Sequence, residues 1–235
     1  MNTDAFQNIE QKYIFVAQQK EMLLDWLEYC YIRDPAFYFG TISSIYYDTP
    51  TLSLYDEKRN SDYLKSKVRL RWYENLQESN QAFDVKCYLE IKRKYGTVRQ
   101  KERMAVVISS KKLGIDPFSD EEILSLPSRV YELGYFPKGI LVPMLLIQYN
   151  RYRFVDAQSG SRIALDTEIG CTHANSAYVP GLPPVYLGAG VLEIKGKHRQ
   201  LLSSLSPIHV HLTKEAFSKY AQCLEYLMQP LARQV

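Results

Sequence analysis

The feature that most constrains the fold of this chain is a set of charged rows that repeat at every second residue. In the segment "KVRLRWY" (67–73), three cations alternate with three apolar residues: Lys67, Arg69 and Arg71 against Val68, Leu70 and Trp72. Successive side chains of a β-strand point to opposite faces of the sheet, so a period of two separates the two kinds of residue. This strand therefore has one cationic face and one apolar face.

Charged rows of the same period occur in further segments of the chain. The rows are Glu90, Lys92 and Lys94 in 89–95, Lys101 and Arg103 in 99–105, Tyr149, Arg151 and Arg153 in 149–154, and Glu193, Lys195 and Lys197 in 191–197. A single strand of this kind most often exposes its charges to water. Jointly the rows favour another arrangement, in which helices cover the apolar faces and the charged faces line an interior. Exposure of Arg69 and Arg71 on an outer wall would contradict it.

The pattern along the rest of the chain predicts about eight strands and three helical regions. The strand segments are 10–16, 41–50, 67–73, 85–95, 99–109, 144–156, 162–170 and 190–197. The helical regions are 17–33, an insertion over about 110–138 and a final helix over about 213–229. We predict a single α+β domain over residues 1–235, mainly β: a closed antiparallel β-barrel tunnel with a polar, cationic lumen and covering helices.

The composition is typical of a globular chain with a sizeable core, and only the local clustering of charge bears on the kind of partner. The chain has 235 residues, 46% of them hydrophobic, and its 29 basic residues nearly balance 26 acidic residues. Mean charge therefore predicts no polyanion binding, whereas the clustered rows leave it open. The four cysteines are scattered, and no signal peptide or membrane-spanning stretch is recognisable. We expect a soluble, cytoplasmic protein.

A lumen lined by these rows would be strongly cationic. Side chains on the same face of a strand lie roughly 6.6 Å apart, so the row from Lys67 to Arg71 spans about 13 Å. Burying so many cations without counter-charge would be very costly, so the lumen must stay wet and be filled by a polyanion and metal. Phosphate chains suit such a lumen, because arginine binds phosphate oxygens bidentately and lysine supplies a point charge.

Eight short motifs occur in order along the chain. They are "E-x-K-Y" (10–13), "SIYYDTP" (44–50), "VRLRWY" (68–73), "LEIKRK" (89–94), "YNRYRF" (149–154), "RIALDTE" (162–168), "LEIKGK" (192–197) and "FSKY" (217–220). Over about 8–228, the chain resembles the VTC (vacuolar transporter chaperone) domain. This domain is the polyphosphate polymerase branch of the triphosphate tunnel metalloenzymes, in the CYTH-like superfamily.

The resemblance implies an antiparallel tunnel that binds a nucleoside triphosphate and a growing polyphosphate chain. It implies phosphate-gripping lumen cations at Lys12, Arg69, Arg71, Lys92, Lys101 and Arg151. Lys58 falls where the family usually has arginine, and Lys94 falls where some members have histidine. Glu193 matches the carboxylate that holds the divalent metal. Ser218 and Lys219 match residues of the C-terminal helix near one tunnel mouth.

The rows and the resemblance together give the predicted site. The predicted catalytic residues are Arg69, Arg71, Lys92, Arg151 and Lys195. The predicted substrate-binding residues are Lys12, Lys58, Lys67, Lys94, Lys101, Arg103, Arg153, Ser218 and Lys219. The predicted ligand of Mn²⁺ or Mg²⁺ is Glu193, and the carboxylates that could support it are Glu10, Glu90, Asp166 and Glu168. Asp166 and Glu168 could instead form an ion-pair network with Arg162.

The chemistry expected of such a site is metal-dependent phosphoryl transfer from ATP to a polyphosphate chain. The metal would neutralise charge that develops in the transition state, and the lysines and arginines would position donor and acceptor phosphates. This chemistry requires no covalent protein nucleophile. The sequence accordingly has neither a recognisable Ser-His-Asp set nor a G-x-x-x-x-G-K-[ST] loop.

Other functions remain open at this point. The related hydrolases carry E-x-E-x-K on the first strand, whereas this chain has Asn8 in place of the first acid, which favours a polymerase over a triphosphatase. A non-catalytic module that binds polyphosphate or inositol pyrophosphates would keep the cations but could lose Glu193. We expect no nucleic-acid binding, because Trp72 lies on the face opposite Arg69 and Arg71. A separate membrane protein is a conceivable partner.

Two smaller features also have competing interpretations. His209 and His211 in "PIHVHL" share a strand-like face, so they could ligate metal or lie at the surface or at a helix entry. Asp48 in "YYDTP" is expected to cap a turn rather than to bind a ligand.

Overall fold

The structure is a computed structural model that describes residues 9–73, 81–96, 98–114, 116–197 and 200–229. These residues form two compact units. The first unit holds the described residues of Met1–Gly40, Tyr149–Ile169 and Tyr186–Ser218. The second holds those of Thr41–Gln148, Gly170–Val185 and Lys219–Val235. The sequence "ENLQESNQA" (74–82) predicts a polar loop, and most of it lies outside the described residues.

The described part of the chain is mainly antiparallel β-sheet with a few helices, as predicted. The strands are β1 (Ile9–Val16), β2 (Ile32–Arg33), β3 (Phe39–Asp48), β4 (Leu64–Trp72), β5 (Asp84–Tyr95), β6 (Val98–Ser109), β7 (Val142–Val155), β8 (Arg162–Ala174), β9 (Val185–Tyr186), β10 (Ala189–Gly196) and β11 (Thr213–Lys214). The α-helices are α1 (Lys20–Cys30), α2 (Ser53–Arg59), α3 (Ser110–Gly114), α4 (Glu121–Ser125) and α5 (Lys219–Leu227). Short 3₁₀ segments occupy Ala17–Gln19, Leu126–Leu133 and Ser203–His211.

All eight predicted strands are present, and the three strands that were not predicted, β2, β9 and β11, have only two residues each. The sequence predicts a hairpin joined at Gly96, and the strands β5 and β6 do pair antiparallel around this residue, which has a positive φ of 55°. No helix in the described ranges is long and apolar enough to cross a membrane.

In the first unit the hydrogen-bonded order is β11-β1-β10-β8, followed by residues of β7. The register of this sheet places Lys12 of β1 opposite Glu193 of β10. One face of the sheet packs against α1, whose buried residues Leu23 and Leu27 lie one helical turn apart. This packing fixes which face of β1, β8 and β10 carries the charged rows.

In the second unit the order is β7-β3-β4-β5-β6. The apolar row of β4 is completely buried, with Val68, Leu70 and Trp72 each 0% exposed. It belongs to a core that includes Leu113 of α3 and Ile123 of α4. The helical insertion therefore covers the apolar face of this sheet, as the sequence predicted. Because side chains alternate along a strand, the cationic row of β4 points to the other side.

Asp48, the last residue of β3, joins three elements of the second unit. Its carboxylate accepts hydrogen bonds from the backbone N–H groups of Thr49, Leu54 and Tyr55, at 2.7, 2.8 and 2.9 Å. The Tyr220 hydroxyl on α5 donates a fourth bond to it, at 2.9 Å. Asp48 therefore caps the turn into α2, as predicted, and also holds α5 against the end of β3.

Two predicted helices are shorter than expected, because residues predicted at their ends pair with β-strands instead. The predicted final helix over 213–229 begins only at Lys219, since Thr213 and Lys214 pair with β1 instead. The helix predicted over 17–33 ends at Cys30, since Ile32 and Arg33 pair with β7. This pairing supplies backbone hydrogen bonds between residues that are far apart in the sequence, and the spacing of apolar residues within one segment does not predict such bonds.

The structure corrects the predicted placement of two histidines and leaves the predicted closure of the barrel open. His209 and His211 lie in a 3₁₀ segment rather than on a strand-like face. Within the described parts of each unit, the paired strands form an open path. Closure into a barrel therefore stays a prediction.

The burial of the β4 apolar row gives a direct test of the face assignment. We expect Leu70→Ala to lower the free energy of unfolding by about 2–5 kcal/mol, because it removes a fully buried side chain. Val107→Ala on β6 is the control, since Val107 is 60% exposed and should change stability by only about 0.5 kcal/mol. Urea unfolding would measure both values, and equal losses would show that the face assignment is wrong.

Candidate anion-binding faces

One face of the β4–β5–β6 sheet in the second unit gathers basic side chains. Residues directly opposite each other in an antiparallel pair point to the same face. The register aligns Lys67 with Lys92 and Lys92 with Lys101. It brings together the predicted residues Lys67, Arg69, Arg71, Lys92, Lys94, Lys101 and Arg103 on this face, which we call the β4–β6 cationic face.

Lys65 and Arg99 are further cations of the same face that were missed at the sequence level. Lys65 lies opposite Lys94, which in turn lies opposite Arg99. Both extend rows already recognised by their period of two, so extending the period by one step towards the hairpin would have found them. The exposure of these side chains increases from β4 towards β6. Arg69 and Arg71 of β4 are buried at 7% exposure each, whereas Lys92 of β5 and Lys101 of β6 are exposed.

The buried arginines of this face are oriented by neighbouring side chains. Nε and Nη2 of Arg69 donate to Oε2 of Glu90 at 2.8 and 2.5 Å, and Nη1 donates to the Tyr46 hydroxyl at 3.2 Å. Nε of Arg71 donates to Oγ of Ser44 at 3.2 Å. Both guanidinium groups are therefore held in fixed orientations on the β4–β6 cationic face.

Glu90 is the carboxylate at the centre of the β4–β6 cationic face. Its side chain is fully buried, and Oε1 lies 2.5 Å from Nζ of Lys101. Burial raises the pKa of Glu90, but attraction to Arg69 and Arg71 and hydrogen bonds from Lys101 and Arg69 outweigh it and lower the pKa to about 2. Glu90 is consequently ionised at neutral pH.

A second charged cluster lies in the first unit. Nε and Nη2 of Arg151 bind the two carboxylate oxygens of the buried Asp166 at 2.5 and 2.7 Å. Nη2 of Arg151 also lies 3.6 Å from Oε2 of Glu193, and Nζ of Lys195 lies 2.5 Å from its Oε1. Lys12 is opposite Glu193 in the register and pairs with Glu10 at 3.2 Å.

The charge on Glu193 is stabilised by this cluster. Burial raises the pKa of the Glu193 carboxyl, but the positive charges of Arg151, Lys195 and Lys12 outweigh it and hold the pKa well below its usual range. Removing this carboxylate would leave the cations without their shared counter-charge.

The structure places several predicted site residues elsewhere. Glu168 does not join Asp166: it is exposed, with a positive φ of 53°, and pairs with Lys20 at 2.8 Å. Arg153 donates to the Phe37 carbonyl at 3.0 Å. Lys58 is half-buried on α2, and the buried Ser218 directly precedes α5, whose first residue is Lys219.

The acidic residues do not form an all-protein metal cage. In the described ranges, no group of three or more histidine, cysteine, aspartate or glutamate side chains is arranged to hold a metal ion. Asp166 and Glu90 have their oxygens engaged by cations, which supports an ion-pair role for both. Glu193 is engaged as well, by Lys195 at 2.5 Å and by Arg151 at 3.6 Å. Because magnesium usually binds through one or two carboxylates together with phosphate oxygens, it would bind Glu193 only together with a phosphate substrate that draws these cations away.

Comparison with known proteins identifies a family. The family model described as VTC domain matches residues 7–228, nearly the whole chain. A search of curated proteins gave no match.

Two solved structures named "putative adenylate cyclase" are also similar. One, from Bacillus halodurans, is 13% identical, covers 81% of each chain and has a TM-score of 0.44. The other, from Vibrio parahaemolyticus, is 12% identical, covers 92% of this chain and 97% of that one, and has a TM-score of 0.46. Both TM-scores are below 0.5, so neither structure bears on the function of this chain.

The low pKa of Glu193 predicts how its contribution to stability depends on pH. A carboxyl whose pKa is lower in the folded state stabilises the fold above its unfolded pKa and loses that effect as pH falls. At pH 7 we expect Glu193→Gln to be less stable than wild type by on the order of 2 kcal/mol.

The stability gap between wild type and Glu193→Gln should shrink steadily from about pH 5 to pH 2, as the carboxyl takes up its proton. Chemical unfolding at several pH values would measure it. Glu215→Gln, which removes an exposed carboxylate, is the matched control and should show a small gap. A gap for Glu193→Gln that does not change with pH would contradict the ion-pair assignment.

Proposed function

The chain belongs to the VTC domain family, and we propose that it is a polyphosphate polymerase that uses ATP. The observation that carries this proposal is the β4–β6 cationic face, where buried, oriented arginines are continued by rows of half-buried and exposed lysines. Such a surface suits a long, flexible chain of phosphates better than a compact, singly charged substrate. The reaction would transfer the γ-phosphate of ATP to the end of a growing polyphosphate chain.

The proposed roles follow from how each cation is held. Arg69 and Arg71 have fixed guanidinium groups, so they would stabilise charge on the transferred group without first having to reorganise. Lys67, Lys92 and Lys101 form a transverse row that would hold successive phosphates of the chain. Lys94 and Arg103 would extend the contact to either side of that row.

The charged cluster of the first unit would act on phosphates as well. Arg151 and Lys195 flank Glu193 and would grip phosphate oxygens beside it, with Lys12 as a further contact. A divalent cation, Mn²⁺ or Mg²⁺, held by Glu193 would supply charge neutralisation when bound. Arg153, Lys58, Ser218 and Lys219 are proposed to contact substrate outside these clusters.

The ion pairs of the acidic residues favour transfer of the phosphoryl group to a phosphate acceptor over transfer to water. Glu10 is the acid that remains of the hydrolase signature, and it pairs with Lys12 at 3.2 Å. Asp166 is bound on both oxygens by Arg151. A carboxylate engaged by a cation is a weak base, so neither group is well suited to activate a water molecule.

The proposal has further parts that the family resemblance implies. They are closure of the strands into a tunnel barrel, ATP and polyphosphate as the binding partners without nucleic acid, and action in the cytoplasm. Association with a separate membrane protein that exports the product is a prediction of the same kind.

The direct test is to incubate the purified protein with ATP and Mn²⁺ and follow polyphosphate and free phosphate together. We expect long polyphosphate chains from wild type. Arg71→Ala should reduce their formation by about a hundredfold or more, the usual effect of removing one group that stabilises a transition state. Arg59→Ala removes an exposed arginine at the end of α2 and should leave the rate unchanged.

Other products would point to other functions. Free phosphate without polyphosphate would make the protein a triphosphatase. Neither product, together with tight binding of polyphosphate, would make it a binding module. Full activity in Arg71→Ala would contradict the role of the β4–β6 cationic face.

A further inference from the structure

The β4–β6 cationic face contains a carboxylate, Glu90, that makes no contact with phosphate in the proposed function. Glu90 lies between Arg69 of β4 and Arg103 of β6 in the register and is 1% exposed. Its neighbours on β5 that share this face are Tyr88 and Lys92. A negative charge buried at the centre of an anion-binding surface opposes the binding of any phosphate there.

Glu90 also engages the donors that a phosphate would use. Its Oε2 accepts two hydrogen bonds from Arg69, and its Oε1 lies 2.5 Å from the Lys101 ammonium. Two donors from one guanidinium and an ammonium on the other side are also a common way to hold a phosphate. The Glu90 carboxylate therefore occupies the place of an anion and competes for the same cations.

We propose that Glu90 is an internal counter-ion that weakens polyanion binding at the β4–β6 cationic face and so lets the phosphate chain leave it. The inference rests on the proposed function only for the identity of the anion. With Glu90 in place, Arg69 and Lys101 share their charge between the carboxylate and the incoming phosphate. A chain held in this way can exchange one contact at a time.

Glu90→Gln isolates this effect. Glutamine has nearly the same size and keeps one oxygen that can accept from Arg69, but it lacks the charge. We expect it to bind inorganic tripolyphosphate about tenfold more tightly than wild type, because one unit of repulsion at close range is removed. Isothermal titration calorimetry at a fixed ionic strength would measure the difference.

Glu102→Gln is the matched control. Glu102 lies on β6 of the same hairpin but points to the opposite face, where it accepts a hydrogen bond from Gln100. The substitution causes the same change in net charge, so long-range electrostatics contribute equally. We expect its affinity for tripolyphosphate to stay within about twofold of wild type.

Thermal unfolding separates this role from a purely structural one. Without ligand, Glu90→Gln should unfold at a lower temperature than wild type, since Arg69 and Lys101 lose their counter-charge. With saturating tripolyphosphate, its unfolding temperature should rise by more than that of wild type, because the ligand restores that charge. A residue with only a structural role would lower both temperatures and leave the ligand-induced rise unchanged.

The results distinguish failure of this inference from failure of the proposed function. If Arg69→Ala weakens binding but Glu90→Gln binds no more tightly than wild type, the cationic face stands and the counter-ion role is wrong. If tripolyphosphate binding does not depend on Arg69, both proposals are wrong. Should Glu90→Gln fail to fold, Glu90→Asp keeps the charge but shortens the side chain; it should bind about two- to threefold more tightly, and unchanged affinity would overturn the inference.

Discussion

The structure depends on the pairing of two arginines, one buried and one half-buried, with buried carboxylates. Arg69 is held by Glu90 in the second unit, and Arg151 is held by Asp166 in the first. An unpaired charge would cost up to several kcal/mol where it is buried, so each arginine can be withdrawn from water to this extent only because a neighbouring strand supplies its counter-ion. The same pairs fix the guanidinium planes, which lowers the side-chain entropy that these arginines would lose on binding a further anion.

The β4–β6 cationic face depends on the burial of the opposite, apolar face of the same strands. In the second unit, Trp72 and Leu70 are covered by the helical insertion, where Leu113 and Ile123 belong to the same core. Because side chains alternate along a strand, Arg69 and Arg71 then point to the opposite face of the sheet. The cationic face and the hydrophobic packing are thus two consequences of one alternation, and a one-residue slip of β4 would exchange them.

The sequence could predict which elements form but not which charges pair. The alternation in 67–73 predicted both the β4 strand and the burial of its apolar row. The pairing of Arg69 with Glu90 depends on the register between β4 and β5, which alternation alone does not specify. The strand β11 was mistaken for part of the final helix because its pairing with β1 is non-local. Lys65 and Arg99 were missed although their rows had been recognised.

A crystal structure with bound tripolyphosphate would show whether the β4–β6 cationic face binds phosphate chains. We expect phosphate oxygens within hydrogen-bonding distance of the Arg69 or Arg71 guanidinium groups, with further contacts along Lys67, Lys92 and Lys101. We also expect the apolar face of β4 to remain covered by the helical insertion. A tripolyphosphate bound only at surface lysines outside this face, with Arg69 and Arg71 making no contact to it, would show that this face does not bind the phosphate chain.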